Sequence, residues 1–240
     1  MDTVKKILRK IINIPEAKTA QHPLTLKELN TNAKHRVSVI AKEFQEGFHF
    51  IAKHPKSVTF FGSARLDEND PYYQKARNLA KRVAEAGYSV VSGGGPGIME
   101  AANRGAFEYS KNAKSLGICI QLPREQKSNP YITDEISFRH FFSRKVIMTF
   151  SAEAFLYFPG GYGTIDEFFE IITLVQTGKI EKVPMILVGN DFWKPFDEVF
   201  RKSLLEKYHT ISEEDLNLYT ITEDEEVILD IIKKAPMRKE

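Results

Sequence analysis

The sequence predicts a doubly wound α/β fold: a mostly parallel sheet with helices on both faces, preceded by a helical extension. Three observations support this. From Ser57 onward, short apolar runs alternate with amphipathic helical stretches. The runs are continuous rather than in–out alternations, as for strands buried on both faces. Two of them end in glycine-rich turns that feed straight into helices, as in a Rossmann-like sheet that binds ligands at the carboxyl ends of its strands. The boundary is expected at 56/57, with the extension over 1–56 and the α/β domain over 57–240.

The first stretch, MDTVKKILRKIINIPEAK, places Val4, Ile7, Leu8 and Ile11 on one helical face. It lacks the uninterrupted apolar region of a secretory signal, and a helix packed on its own domain or on a partner is expected. Residues 26 to about 53 form a second helix, with Val37, Ile40, Ala41, Phe44, Phe48 and Ile51 as its apolar stripe. KHPKS ends it, since proline disfavours helix in the residue before it. Strands are expected at VTFF (58–61), YSVV (88–91), LGICI (116–120), AFLYF (154–158) and PMILVG (184–189). Helices are expected over YYQKARNLAKRVAEAGY, over IMEAANRGAFEY, near 140–151, and after PGGYGT with Ile165, Phe168, Phe169, Ile172 and Val175 inward. FWKPFDEVFRKSLLEKY and EEVILDIIKKA supply the last two.

The 240 residues carry 34 basic and 32 acidic side chains, so bulk charge points to neither nucleic acid nor membrane. The single Cys119 excludes an intramolecular disulfide, and its setting in LGICI reads as an inert core thiol. A cytoplasmic protein is expected. The histidines form no metal-spaced cluster, so neither a metal nor a cofactor is expected.

Gly93-Gly94-Gly95-Pro96-Gly97 and Gly160-Gly161-Tyr162-Gly163-Thr164 each join a strand to a helix. Bare amides and the positive end of a helix dipole then converge on one spot, which suits a phosphate. The first loop reaches Ile98 where a dinucleotide fingerprint wants its last glycine, and neither loop ends in Gly-Lys-Ser/Thr. A monophosphate held by backbone is the simpler ligand. With Thr164 as the expected N-cap, Glu167 falls at the third helical position. There it fits both a capping-box glutamate and a carboxylate at the rim of the phosphate pocket. Asp166 and Glu170 are further acids in this turn and the next. On residues alone, Arg144 fits a surface salt bridge.

Taken together, these segments resemble the LOG family, the cytokinin riboside 5′-monophosphate phosphoribohydrolases formerly labelled lysine decarboxylases. PGGYGTIDE (159–167) matches the PGGxGTxxE signature, SRK (143–145) its arginine-lysine element, and FFGSAR (60–65) and GGGPGIMEAANRGA (93–106) its first two loops. The resemblance covers roughly Ser57 to Val188 and implies a nucleotide-binding catalytic domain. The implied reaction hydrolyses the N-glycosidic bond of AMP or an N6-modified AMP, giving free base and ribose 5-phosphate. In family terms Arg144 and Glu167 are the catalytic pair. The phosphate and substrate set is Gly62, Ser63, Gly94, Gly95, Met99, Lys145, Gly160, Gly161, Tyr162, Gly163 and Thr164. The implied assembly is a homodimer or larger, with the site at the subunit interface. Ile147 stands where many members carry a glutamate, a departure expected to bear on base selectivity or on a salt bridge near the site. Phe138, Arg139 and His140 are candidates for the base pocket. A carrier without catalysis, like the molybdenum-cofactor carriers, shares the architecture and is the alternative reading. The historical decarboxylase label would need pyridoxal phosphate on a lysine, for which Lys145 is the only candidate near the motif, and the chain shows none of the extra domain material such enzymes usually need.

Overall fold

A computed structural model describes residues 25–110, 112–121 and 128–237. Val4, Ile7, Leu8 and Ile11 lie outside the described residues, as does 122–127 of the long connection. Helix α1 (Leu26–Ala52) leads into β1 (Ser57–Phe61), α2 (Pro71–Glu85), β2 (Ser89–Ser92), α3 (Ile98–Tyr109) and β3 (Ser115–Ile120). Next come β4 (Asp134–Phe138), α4 (Phe141–Thr149), β5 (Ala154–Tyr157), α5 (Tyr162–Gln176) and β6 (Met185–Leu187). Helix α6 (Asn190–Val199) runs on in π-helical turns to Lys207, and β7 (Tyr219–Ile221) and α7 (Glu225–Lys234) finish the fold. No described helix is long and apolar enough to cross a membrane.

All seven strands pair in parallel, in the order β4-β3-β2-β1-β5-β6-β7. The chain winds outward one way from β1, then returns to β1's other side and winds the opposite way. Loops leaving β1 and β5 therefore diverge, opening a crevice between them. Neighbouring residues on each strand serve opposite faces. Phe60, Val90 and Leu156 pack beneath α2, α3 and α7, which contribute Leu79, Ile98 and Ile228. Phe61, Val91, Phe155 and Tyr157 pack beneath Phe50 of α1, Ile147 of α4, Phe168 of α5 and Trp193 of α6. Local signals fix the ends of several helices. Asp70 caps α2 by accepting from Tyr72 N at 2.8 Å ahead of Pro71, and Asp224 caps α7 by accepting from Glu226 N and Val227 N.

Two strands were not evident from the sequence. The edge strand β4, DEISF, is mostly exposed and interrupted by charge, and β7 has only three residues. Neither makes the long apolar run that marks the central strands.

The buried face of α1 follows the expected stripe only in part: Phe44 and Ile51 pack against the core. Val37, Ala41 and Phe48 are exposed, whereas Glu43, Gly47 and Phe50 are buried. Close packing sets this orientation: a Cβ on Gly47 would sit 2.5 Å from Ile147 Cγ1 and 3.1 Å from Phe138 Cζ. Glu43 tolerates burial because it accepts from Arg139 N at 2.6 Å and lies 2.9 Å from His140 Nδ1. The larger of two compact units runs Ile40–Glu240, so it takes in the part of α1 that makes these contacts.

Gly47→Val should lower stability by about 2 kcal/mol in a urea titration through overpacking. Ile147→Ala in the same chain should recover part of that loss, because the two side chains compete for one space.

Candidate active site

Backbone hydrogen bonds stitch the loops at the carboxyl edge together. Phe158 N donates to Phe61 O (2.8 Å), Ser63 N to Pro159 O (3.0 Å) and Ile98 N to Ser63 O (3.0 Å). Gly97 begins α3 at φ +71°, a conformation glycine adopts without strain. A buried polar network fixes the Gly93–Gly95 loop. Gly94 N donates to Ser92 Oγ (3.0 Å), and Asn129 returns its own amide to Gly94 O (2.9 Å) and its Nδ2 to Gly95 O (3.1 Å). Together these loops wall a cavity of about 1000 Å³, enough for a nucleotide-sized ligand.

Of the residues singled out in the sequence, Gly62, Ser63, Gly94, Gly95, Met99, Arg144, Gly160, Gly161, Tyr162, Gly163, Thr164 and Glu167 all line this cavity. Lys145 does not: its Nζ is held by Asp166 (2.8 Å) and Glu170 (2.7 Å) on the flank of α5. Phe138 is wholly buried in the core, and neither Arg139 nor His140 lines the cavity; Phe141 does. Ile147 is fully buried against α1 and reaches neither cavity nor salt bridge. Cys119, expected only in the core, forms part of the wall beside Ser128. Burial pushes its thiol up, in keeping with an inert group.

The start of α5 corrects the expected capping box. Gly161, not Thr164, is the N-cap, and Thr164 N and Ile165 N already donate to Gly161 O at 3.0 and 3.2 Å. The helix begins early because Gly160 has no Cβ, leaving that space to the Thr164 side chain. Glu167 therefore sits in the second turn and caps nothing. The amides of Tyr162 and Gly163 precede the first intrahelical bonds and present free donors at the positive end of the helix.

Glu167 is only 7% exposed, and its Oε2 has no hydrogen-bond partner among the described residues. Burial raises its carboxyl to about 7; Arg144 and Lys145 oppose that rise, and Glu170 and Asp166 add to it. Arg144 donates Nε to Ile118 O at 2.7 Å, which leaves its terminal nitrogens for other partners. Its guanidinium lies against Gly93, where a Cβ would collide with Nη2 and with Met99 Sδ. Burial lowers the Arg144 pKa while Glu167 opposes that shift, and a guanidinium keeps its proton at neutral pH. The two side chains couple through their fields without forming an ion pair within 4.0 Å. A fixed cation, a cradle of free amides and an acid that titrates near neutrality thus share one cavity.

An acid whose carboxyl is raised by folding costs stability once the unfolded chain ionises. The loss begins above the ordinary value of 4.5 and is complete above about 7. Glu167→Gln should accordingly stabilise the fold at pH 8, by on the order of 2 kcal/mol, and have a much smaller effect at pH 5. Thermal unfolding at the two pH values checks this.

The family model described as "Possible lysine decarboxylase" matches residues 99–232. The Oryza sativa subsp. japonica protein named cytokinin riboside 5′-monophosphate phosphoribohydrolase LOG is 32% identical over 139 residues, 57% of this chain and 56% of its own. The Rhodococcoides fascians protein named cytokinin riboside 5′-monophosphate phosphoribohydrolase is 26% identical over 157 residues, 65% of this chain and 79% of its own. The pyrimidine/purine nucleotide 5′-monophosphate nucleosidase of Escherichia coli K12 is 25% identical over 204 residues, 79% of this chain. The chain thus spans 56% of the rice relative and 43% of the E. coli one. Among solved structures, TM1055 superposes with a TM-score of 0.56 at 22% identity, covering 75% of this chain and 99% of its own. The molybdenum cofactor binding protein of Rippkaea orientalis follows at 0.55 and 19%, covering 75% and 96%. These two establish a shared fold alone. The decarboxylase label implies pyridoxal phosphate on a lysine, and that group does not fit: among the described residues no lysine lines the cavity, and Lys145 is tied to two carboxylates. Sequence signature, matched span and parallel α/β architecture agree, and the chain belongs to the LOG family.

Proposed function

We propose that this protein hydrolyses the N-glycosidic bond of nucleoside 5′-monophosphates, AMP or an N6-modified (cytokinin riboside) AMP, releasing free base and ribose 5-phosphate. The observation that carries the reading is Glu167, a buried carboxylate with no capping role, titrating near 7 beside an anion cradle. The three relatives named above are each named for 5′-monophosphate chemistry.

The phosphate docks on the Tyr162 and Gly163 amides at the head of α5. This sets the ribose between Glu167 and Arg144, with the base toward Met99 and Phe141 on the cavity wall. As the C1′–N bond breaks, its electron pair leaves with the base and positive charge grows on C1′ and the ring oxygen. Ionised Glu167 stabilises that charge and takes a proton from the water that adds to C1′, the departing base is protonated by solvent, and Glu167 returns its own proton to solvent. Arg144 binds phosphate or ribose oxygens and cannot serve as the base. A carrier without catalysis would use the same amide cradle but would have no task for Glu167.

Tyr162 is 93% exposed and Phe141 57% exposed, and both line the cavity. Two bare aromatics at a ligand site suit cover by a second copy, which supports a homodimer or larger assembly with the site at its interface. Light scattering should return at least twice the 27.4 kDa chain mass. A fully active monomer would remove this part of the proposal.

Incubation with AMP and with isopentenyl-AMP should release base and ribose 5-phosphate, and Glu167→Gln should lose turnover by on the order of 10³-fold. Ionised Glu167 is the working form, so kcat/KM should climb with pH and level off above about 7. That limb should be absent from the residual activity of Glu167→Gln. Unchanged turnover in the variant would return Glu167 to a structural role. A lack of release from any monophosphate, with binding retained, would favour the carrier.

A further inference from the structure

Within electrostatic reach of Glu167 lies another unsatisfied polar group. Tyr157, the last residue of β5, is fully buried and its hydroxyl has no partner among the described residues. Its ring is fixed on every side. It stacks on Phe61 (5.0 Å, 12°) and meets the edges of Phe168 (5.4 Å) and Trp193 (6.5 Å), while Trp193 Nε1 donates to the Tyr157 carbonyl at 2.9 Å. A phenol held this rigidly cannot swing out to find water. Leaving it idle would cost about 1–3 kcal/mol.

Two other fully buried oxygens in this region also lack a hydrogen bond, Oε2 of Glu167 and Oε2 of Glu170. The charges of both carboxylates act on Tyr157, after burial the largest influences on its phenol. Both oxygens are acceptors, and the phenol has one proton to give. Glu170 Oε2 already lies 2.7 Å from Lys145 Nζ. Glu167 has no cation in contact: Lys145 is engaged by Asp166 and Glu170, and Arg144 acts on it only at longer range. The acceptor left in need is Glu167.

We propose that the Tyr157 hydroxyl is a positioning group for Glu167, donating to a bridging water that in turn donates to its buried Oε2. This bridge leaves Oε1 as the oxygen presented to the cavity and favours the ionised carboxylate at a site where burial opposes it. The inference deepens the hydrolase reading and rests on it for its kinetic half, while its stability half stands apart.

Tyr157→Phe deletes one oxygen and keeps the ring stacking, so it tests the bridge alone. In the hydrolase assay, the rising limb of kcat/KM should move up by about one pH unit, a loss of about tenfold below neutrality that recovers above pH 9. A residue serving only the core would lower activity equally at every pH or leave it unchanged. Urea unfolding at pH 8 supplies the independent arm. In the wild-type chain Tyr157→Phe should be neutral or destabilising; with Glu167→Leu already present, the bridge has lost its acceptor and the same change should raise the midpoint. Equal effects in the two backgrounds, or a reversal that follows Glu170→Leu instead, would overturn the assignment. If no monophosphate is hydrolysed, the hydrolase reading fails and the unfolding cycle alone decides this one.

Discussion

The site depends on the divergence of the chain between β1 and β5. These neighbouring strands run parallel, and their following loops would part company were they not bound to one another by Ser63 N to Pro159 O and Phe158 N to Phe61 O. Ser63 then accepts from Ile98 N, which draws the start of α3 to the same point. Three strand-to-helix turns are thereby set around one crevice by main-chain hydrogen bonds, with the Ser92 and Asn129 side chains fixing the Gly93–Gly95 turn. Side chains on these turns are free to be small, and glycine lets α5 offer its first amides without obstruction.

Electrostatics follow from that placement. A carboxylate at the head of a helix would ordinarily be stabilised by the dipole and sit low. Glu167 sits one turn further in, buried, where burial outweighs both nearby cations. Arg144 could have quenched it by direct contact. Instead its Nε is committed to Ile118 O, and Gly93 provides the slot through which the guanidinium passes. Lys145 is kept off the acid by Asp166 and Glu170. An acid left unpaired next to two cations retains the ability to change charge near neutral pH, which an ion-paired one would forfeit.

Much of this was legible in the sequence, for physical reasons that also explain the gaps. Continuous apolar runs such as AFLY disclose central strands because both faces are covered; β4 and β7 escape because an edge strand or a three-residue strand needs no such run. Glycine-rich turns disclosed the loops that wall the cavity because backbone approach demands that composition, whereas Arg144 was singled out only by the family resemblance. Local rules failed at Thr164, where the capping preference of threonine lost to the space opened by Gly160. They failed again at Lys145, since adjacency to Arg144 says nothing about which way the next side chain on a helix points. Phe141 and Cys119 carried no signal at all: their place in the wall is set by tertiary packing.

Ile147 joins these threads. At a position where many relatives carry a glutamate, an acid would stand in the fully buried seam between α1 and α4. The extended helix makes an apolar residue obligatory there, because Gly47 brings its backbone against the side chain and Phe138 closes the far side. Ile147 therefore packs in the seam between α1 and α4 and takes no part in the cavity wall. The same seam carries Glu43, which accepts from Arg139 N and approaches His140 at the entrance to α4. Since α4 presents both Phe141 and Arg144 to the cavity, the C-terminal half of α1 backs the helix that carries Arg144. A helix that does not line the cavity thus constrains one that does.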